Sequence, residues 1–168
     1  IEKFNPENVI ATFDLPGGTF RDDLYDEYKS HREAAPDDLY SQIPIIKEMI
    51  EAFGIPIYEK EGYEADDLVG TLSLQAKERG YDVLIVTGDT DTLQLVDESV
   101  KVFTMRKSIK DTVVYGYDEV VAKYGFKPSQ LIEYKGLAGD SSDNIPGVKG
   151  IGAKTDTTLI QKYENLEG

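Results

Sequence analysis

The chain has 168 residues, 40% hydrophobic and 30% charged, enough to bury a core in one domain or in a core with a small appendage. No run approaches the roughly 20 apolar residues that span a bilayer, the first residues lack the basic start and apolar run of a signal peptide, and the absence of cysteine excludes disulfides and thiolate metal sites; a cytoplasmic setting is the expectation. A net charge of −14 argues against a general nucleic-acid binder, which is usually basic, unless the acids gather where a cation offsets their repulsion.

Taken in chain order, Asn8–Asp14 reads as a buried strand ending in a carboxylate, broken by Leu15-Pro-Gly-Gly18. Phe20 to Asp38 is polar and aromatic, partly helical and exposed. Acids at Asp37 and Asp38 start a helix that carries Leu39, Ile43, Ile46, Met49, Ile50 and Phe53 at helical spacing and ends at Gly54. Ile55–Tyr58 is a short strand. Glu64 to Gly80 is the next helix, with Leu68, Leu72 and Ala76 along one face. Asp82–Thr87 is the clearest buried strand. Alternating strands and helices predict an α/β fold, a mostly parallel sheet flanked by helices, whose sites form beyond the carboxyl ends of the strands. After about Tyr115 the pattern becomes three short helices, Asp118–Tyr124, Pro128–Leu137 and Ala153–Tyr163, joined by Gly-rich turns: a helical subdomain.

Acids cluster at element ends in four groups: Asp14; Glu64, Asp66 and Asp67; Asp89 and Asp91; Asp140 and Asp143. Helical spacing puts Glu64 and Asp67 on one face, and an extended backbone would aim Asp89 and Asp91 the same way. Gathered carboxylates repel, and oxygen-only ligands suit magnesium or manganese. Two such ions about 4 Å apart can hold the attacking and leaving oxygens of a phosphodiester. Each group also has a plainer reading. Acids in a first helical turn are stabilised by the helix dipole, and aspartates are common turn formers.

The run Ile145-Pro-Gly-Val-Lys-Gly-Ile-Gly-Ala-Lys-Thr155 leads into a helix, with Gly139 upstream and Lys149, Lys154 and Lys162 nearby. Bare backbone N–H groups and a helix N-terminus there suit a sequence-independent grip on phosphate, though a tight turn between helices is the simpler alternative. Arg21, Lys29 and Arg32 alternate with Phe20, Tyr25 and Tyr28, a mixture that suits a single strand or a solvated helix.

Phe13-Asp14 with Thr19-Phe-Arg21 and Tyr28-Lys29, Gly62-Tyr-Glu-Ala-Asp-Asp67, Thr87-Gly-Asp-Thr-Asp91 and Gly139-Asp-Ser-Ser-Asp-Asn-Ile-Pro-Gly147 occur in the order found in the bacterial 5′-nuclease family. The chain resembles the 5′→3′ exonuclease domains of that family, such as the one at the front of DNA polymerase I, and their flap-endonuclease relatives. The resemblance implies a PIN-like 5′-nuclease core over 1–115, with a helical arch region at 19–45, and a helix-hairpin-helix subdomain over 116–168. It implies two metal sites for Mg²⁺ or Mn²⁺ held by Asp14, Glu64, Asp66, Asp67, Asp89, Asp91, Asp140 and Asp143, and catalytic roles for Arg21 and Lys29. DNA contacts would come from Arg21, Tyr28, Lys29 and Arg32 of the arch, and from Gly147, Val148, Lys149, Gly150, Gly152, Lys154 and Thr155 of the hairpin, where the family often holds K⁺. The implied substrates are 5′ flaps and nicked or 5′-ended duplex DNA, cut by a monomer that either stands alone or is fused to a polymerase in the parent protein.

The chain departs from the family pattern. The family's first strand, with a further metal-site Asp, is expected to lie before Ile1 or to be missing, and further helices follow the hairpin in the family. Thr90 stands where Lys is common, Asp22 where His is common, and Asp156 where Ala is usual. With the first strand missing, the alternative is a non-catalytic, structure-specific DNA-binding fragment. A small-molecule phosphatase leaves the glycine hairpin unexplained.

Overall fold

In the computed structural model, residues 1–108 and 111–166 are described, the side chains of 106–108 and 153 excepted. The chain forms two compact units, Ile1–Val69 and Gly70–Gly168, whose boundary falls within a helix. No helix among the described residues is long and apolar enough to cross a membrane.

In the first unit, strand β1 (Ala11–Thr12) pairs in parallel with β2 (Ile57–Tyr58), opposing Ala11 to Ile57 and Thr12 to Tyr58. The strand predicted over Asn8–Asp14 is therefore much shorter. Helix α1 (Phe20–Leu24) begins at Thr19, whose hydroxyl accepts from the Arg21 N–H. Asp22 answers by accepting from the Thr19 N–H at 2.6 Å. This reciprocal cap gives Asp22 a structural use. Helix α2 (Asp37–Ala52) starts with two acids in its first turn and continues through Pro44, which forgoes one helical hydrogen bond. Its apolar spacing predicts a buried face, but α2 has no buried residue. Ile43 and Ile50 are half-buried, while Leu39, Ile46, Met49 and Phe53 are exposed, Phe53 to 75%. Periodicity reports which residues share a face, not that a partner covers it.

Helix α3 (Ala65–Glu78) starts in the first unit and ends in the second. Strand β3 (Val83–Val86) pairs in parallel with β4 (Val100–Ser108), and β4 pairs antiparallel with β5 (Asp111–Tyr115). The β4 and β5 strands have no counterpart among the sequence predictions, and β5 makes this sheet mixed rather than wholly parallel. β3, an edge strand of its sheet, buries Ile85 but leaves Val86, which points to the opposite face, 70% exposed. Its apolar run thus serves one face fully, not two. The core of this unit is Ile85, Leu93, Val96, Val100, Val102, Val120, Phe126, Leu131 and Ile160.

Helices α4 (Tyr117–Tyr124), α5 (Leu131–Ala138) and α6 (Ala153–Tyr163) follow, close to the three predicted. A single 3-10 turn at Pro128–Gln130 leads into α5. Between α5 and α6 lies a small antiparallel hairpin, β6 (Gly139–Asp140) with β7 (Ile145–Pro146). Gly139 has φ +73°, and a Cβ there would fall 2.3 Å from the Gly147 nitrogen. A Cβ on Gly147 would fall 2.3 Å from the Ala138 carbonyl oxygen. The hairpin therefore requires both glycines for close backbone approach.

Candidate metal and nucleic-acid site

The first unit places Asp14, Glu64 and Asp67 around the start of α3. Asp14, just beyond β1, accepts from the Ala65 N–H at 2.6 Å, and Asp67 accepts from the Glu64 N–H at 2.9 Å. These are N-terminal helix contacts, where carboxylates meet unpaired N–H groups and the positive end of the dipole. A parallel bridge between Thr19 and Gly62 brings the start of α1 beside this helix. Phe20 donates its N–H to the Gly62 carbonyl at 3.1 Å, and its ring lies 5.7 Å from that of Tyr63. Arg21, one residue on, reaches Asp67 with both guanidinium nitrogens, at 2.8 and 2.7 Å. That forked pairing is the strong form of a charge-assisted bond. Lys29 donates to Glu64 at 2.6 Å, and the Tyr28 hydroxyl lies 3.2 Å from both Glu64 oxygens. Lys29 does so from φ +51°, a left-handed conformation that costs an L residue about 1–2 kcal/mol.

The electrostatics follow the contacts. The Arg21 bond, more than Arg21's charge, holds the Asp67 carboxyl below the usual carboxylate range, and Asp67 raises Arg21 in return. Partial burial works to lower Lys29, but its bonds to Glu64 and Tyr28 win and raise it. Tyr28 is buried, 8% exposed, so its ring is packed inside rather than offered to a base as the sequence pattern suggested. Asp66 and Arg32 are exposed.

In the second unit Asp89 caps a 3-10 turn, Thr90–Leu95, and accepts the Asp91 N–H at 2.8 Å. The backbone turns after Asp89 instead of staying extended, so the alternation expected for Asp89 and Asp91 does not hold. Asp140 on β6 accepts from the Ser142 N–H and hydroxyl with one oxygen, at 2.8 and 2.6 Å. Lys135 of α5 lies 2.7 Å from Asp91 Oδ1 and 2.7 Å from Asp140 Oδ2. Burial works to raise Asp140, yet Lys135 and Ser142 hold it well below the usual range. Burial raises Asp91, against the opposing pull of Lys135. The Asp143 N–H donates to the Asp140 carbonyl at 3.2 Å, and Asp143 is half-buried. No sequence feature singled out Lys135, whose partner Asp91 lies far away in sequence.

Among the described residues no group of three or more His, Cys, Asp or Glu side chains lies close enough to surround a metal ion. The donors nonetheless suit a hard cation. They are oxygen-only, and cationic nitrogens from this chain already sit against Glu64, Asp67, Asp91 and Asp140.

Beyond the hairpin, Val148 donates its N–H to the Leu137 carbonyl at 2.8 Å and Gly150 takes φ +89°. Gly152 begins α6 without a side-chain cap. Lys149, Lys154 and Thr155 are exposed, as are Gly147, Val148, Gly150 and Gly152. Asp156 in the first turn of α6 is 1% exposed, and its Oδ1 has no hydrogen-bond partner.

Residues 1–125 match the family model described as the 5′-3′ exonuclease, N-terminal resolvase-like domain, and 126–168 match the model described as the 5′-3′ exonuclease, C-terminal SAM fold. The DNA polymerase I of Caldicellulosiruptor bescii is 47% identical over 99% of this chain, and the DNA polymerase I of Chloroflexus aurantiacus 46% over 99%. This chain spans about a fifth of the length of each, 20% and 18%. Among solved structures, T5 D15 protein co-crystallised with metal ions superposes with a TM-score of 0.82 at 25% identity, covering 99% of this chain and 65% of that one.

Proposed function

This chain belongs to the 5′-3′ exonuclease family, and from that premise we propose that it hydrolyses DNA phosphodiester bonds at 5′ ends or 5′ flaps with divalent cations held by its carboxylates. The observation that carries the reading is the start of α3. Within hydrogen-bond reach there are two carboxylates, Glu64 and Asp67, and the phosphate-binding cations Arg21 and Lys29. Such a set serves a phosphodiester better than a structural helix cap does, because a cap needs no cations. The T5 relative crystallised with metal ions supports the same chemistry.

Asp14, Glu64, Asp66 and Asp67 of the first unit, and Asp89, Asp91, Asp140 and Asp143 of the second, would hold Mg²⁺ or Mn²⁺. When bound, the ions supply an activated water and charge stabilisation for the leaving oxygen. Arg21 and Lys29, bonded to carboxylates in this structure, would turn to the phosphate oxygens once those carboxylates are otherwise neutralised, and so offset charge that grows as the bond breaks. Tyr28 holds Glu64 in place through its hydroxyl. The exposed run Gly147-Val-Lys-Gly150, with Gly152, Lys154 and Thr155 and a K⁺ ion at the hairpin, would hold the duplex backbone without reading bases. The enzyme would act as a monomer on nicked or 5′-ended duplexes.

A second reading, structure-specific binding without cleavage, draws on the lack of a three-acid group among the described residues. One experiment separates the two. A 5′-flap duplex is incubated with Mg²⁺ and the unmutated chain, Asp67→Ala or Asp89→Ala. Cleavage to 5′-phosphorylated fragments, reduced about 100-fold or more in either variant, supports the nuclease reading. Retention of the flap without cutting would support the second reading, and cutting indifferent to both substitutions would reject the carboxylate assignment.

A further inference from the structure

Lys135 reaches from α5 to carboxylates on two other elements, the 3-10 turn that carries Asp91 and the hairpin strand that carries Asp140. Each carboxylate oxygen is 2.7 Å from the same nitrogen. Asp140 is fixed on its far side by Ser142, so its second oxygen is aimed at Lys135. Asp91 is tied by its N–H to the Asp89 carboxylate. The carboxylates of Asp91 and Asp140 thus face one ammonium, whose single charge balances only one of them.

We infer that Lys135 is a built-in placeholder: its ammonium holds Asp91 and Asp140 together until a divalent cation arrives, and swings out when that cation binds. The inference rests on the proposed role of Asp91 and Asp140 as metal ligands. A divalent ion balances the two acids better than one lysine can. It also binds carboxylate oxygens at roughly 2.1 Å, so both acids need close in by only about 0.6 Å each. Lysine suits the exchange because its flexible stem carries a compact, strongly hydrated charge, and its side chain here is 37% exposed and open to water. The consequence is a competition. Lys135 keeps the acids from repelling in the metal-free chain and weakens divalent binding by the same contact.

The test uses the whole chain and metal alone. Free Mn²⁺ is followed by electron paramagnetic resonance during titration of the unmutated chain, Lys135→Gln, Lys135→Arg and Asp140→Asn. The expected result is binding on the order of tenfold tighter in Lys135→Gln, with Lys135→Arg close to the unmutated chain. Equal or weaker binding in a folded Lys135→Gln variant overturns the inference. Unaltered binding in Asp140→Asn would instead overturn the ligand assignment beneath it, so the two failures are distinguishable. A second measurement needs no substitution in the chain that is titrated. The Nζ resonance of Lys135, assigned by its absence from Lys135→Arg, should shift as Mg²⁺ saturates, and a resonance that stays in place counts against displacement.

Discussion

The two compact units are held together by different forces. Among the described residues, Tyr28 is the one buried apolar or aromatic side chain of the first unit, whereas the second unit buries ten, from Ile85 to Ile160 and including Pro128. The first unit instead relies on short parallel pairing at β1 and β2, the bridge from Thr19 to Gly62, and the contacts of Arg21 and Lys29 with the start of α3. Burial is non-directional and survives small shifts, while ion pairs depend on geometry, salt and pH. The part of the chain that carries Arg21 and Lys29 is therefore the part that charge controls.

The largest test of that contrast is side-chain truncation. Leu93→Ala, at a fully buried position, should cost about 2–5 kcal/mol in chemical denaturation. Met49→Ala on the exposed face of α2 should change stability by less than about 0.5 kcal/mol. A comparable loss from both would erase the distinction between the units. Next in size is a gain. Asp156 is buried with an oxygen that lacks a partner, so Asp156→Ala should stabilise the second unit by about 1–3 kcal/mol in the same assay. A loss of stability would mean that the carboxylate has a role in holding α6.

Acid should weaken the first unit next. Arg21 holds the folded-state pKa of Asp67 below its unfolded value. The stability contributed by that pair is therefore present at neutral pH and lost as pH falls below about 4 and through the folded-state pKa. Asp140 in the second unit responds in the same direction, but its unit keeps its apolar core. Hydrogen exchange at Ala11 and Phe13 should thus accelerate at a higher pH than exchange at β3 and β4, after correction for intrinsic rates. Salt should give the smallest effect, a loss of up to about 1 kcal/mol in the first unit at high ionic strength, since Arg21 and Asp67 are only partly exposed.

Much of the fold was legible. Ala153–Tyr163 was bounded by a glycine turn and a clear helical period, and α6 has those limits. Gly80 and the acids of Asp66 and Asp67 marked the ends of α3 for the same reason. Strand β4 escaped the reading although Val100, Val102 and Thr104 are buried and alternate with Lys101, a period-2 signal hidden among polar residues. The exposed face of α2 was illegible in principle, because spacing carries no record of what packs against it. The positions of the acids at element ends were readable, but their partners were not. Arg21 meets Asp67 46 residues away, and Lys135 joins Asp91 to Asp140 across two turns of chain that no local pattern links.

The proposed chemistry is tested most directly by the rate of 5′-flap cleavage as free Mg²⁺ is raised from zero. A rate that starts at the EDTA background, climbs with the metal and then saturates is the predicted result. Equal cleavage in EDTA and in Mg²⁺, or none at any metal concentration by a chain that still holds the flap, would contradict it.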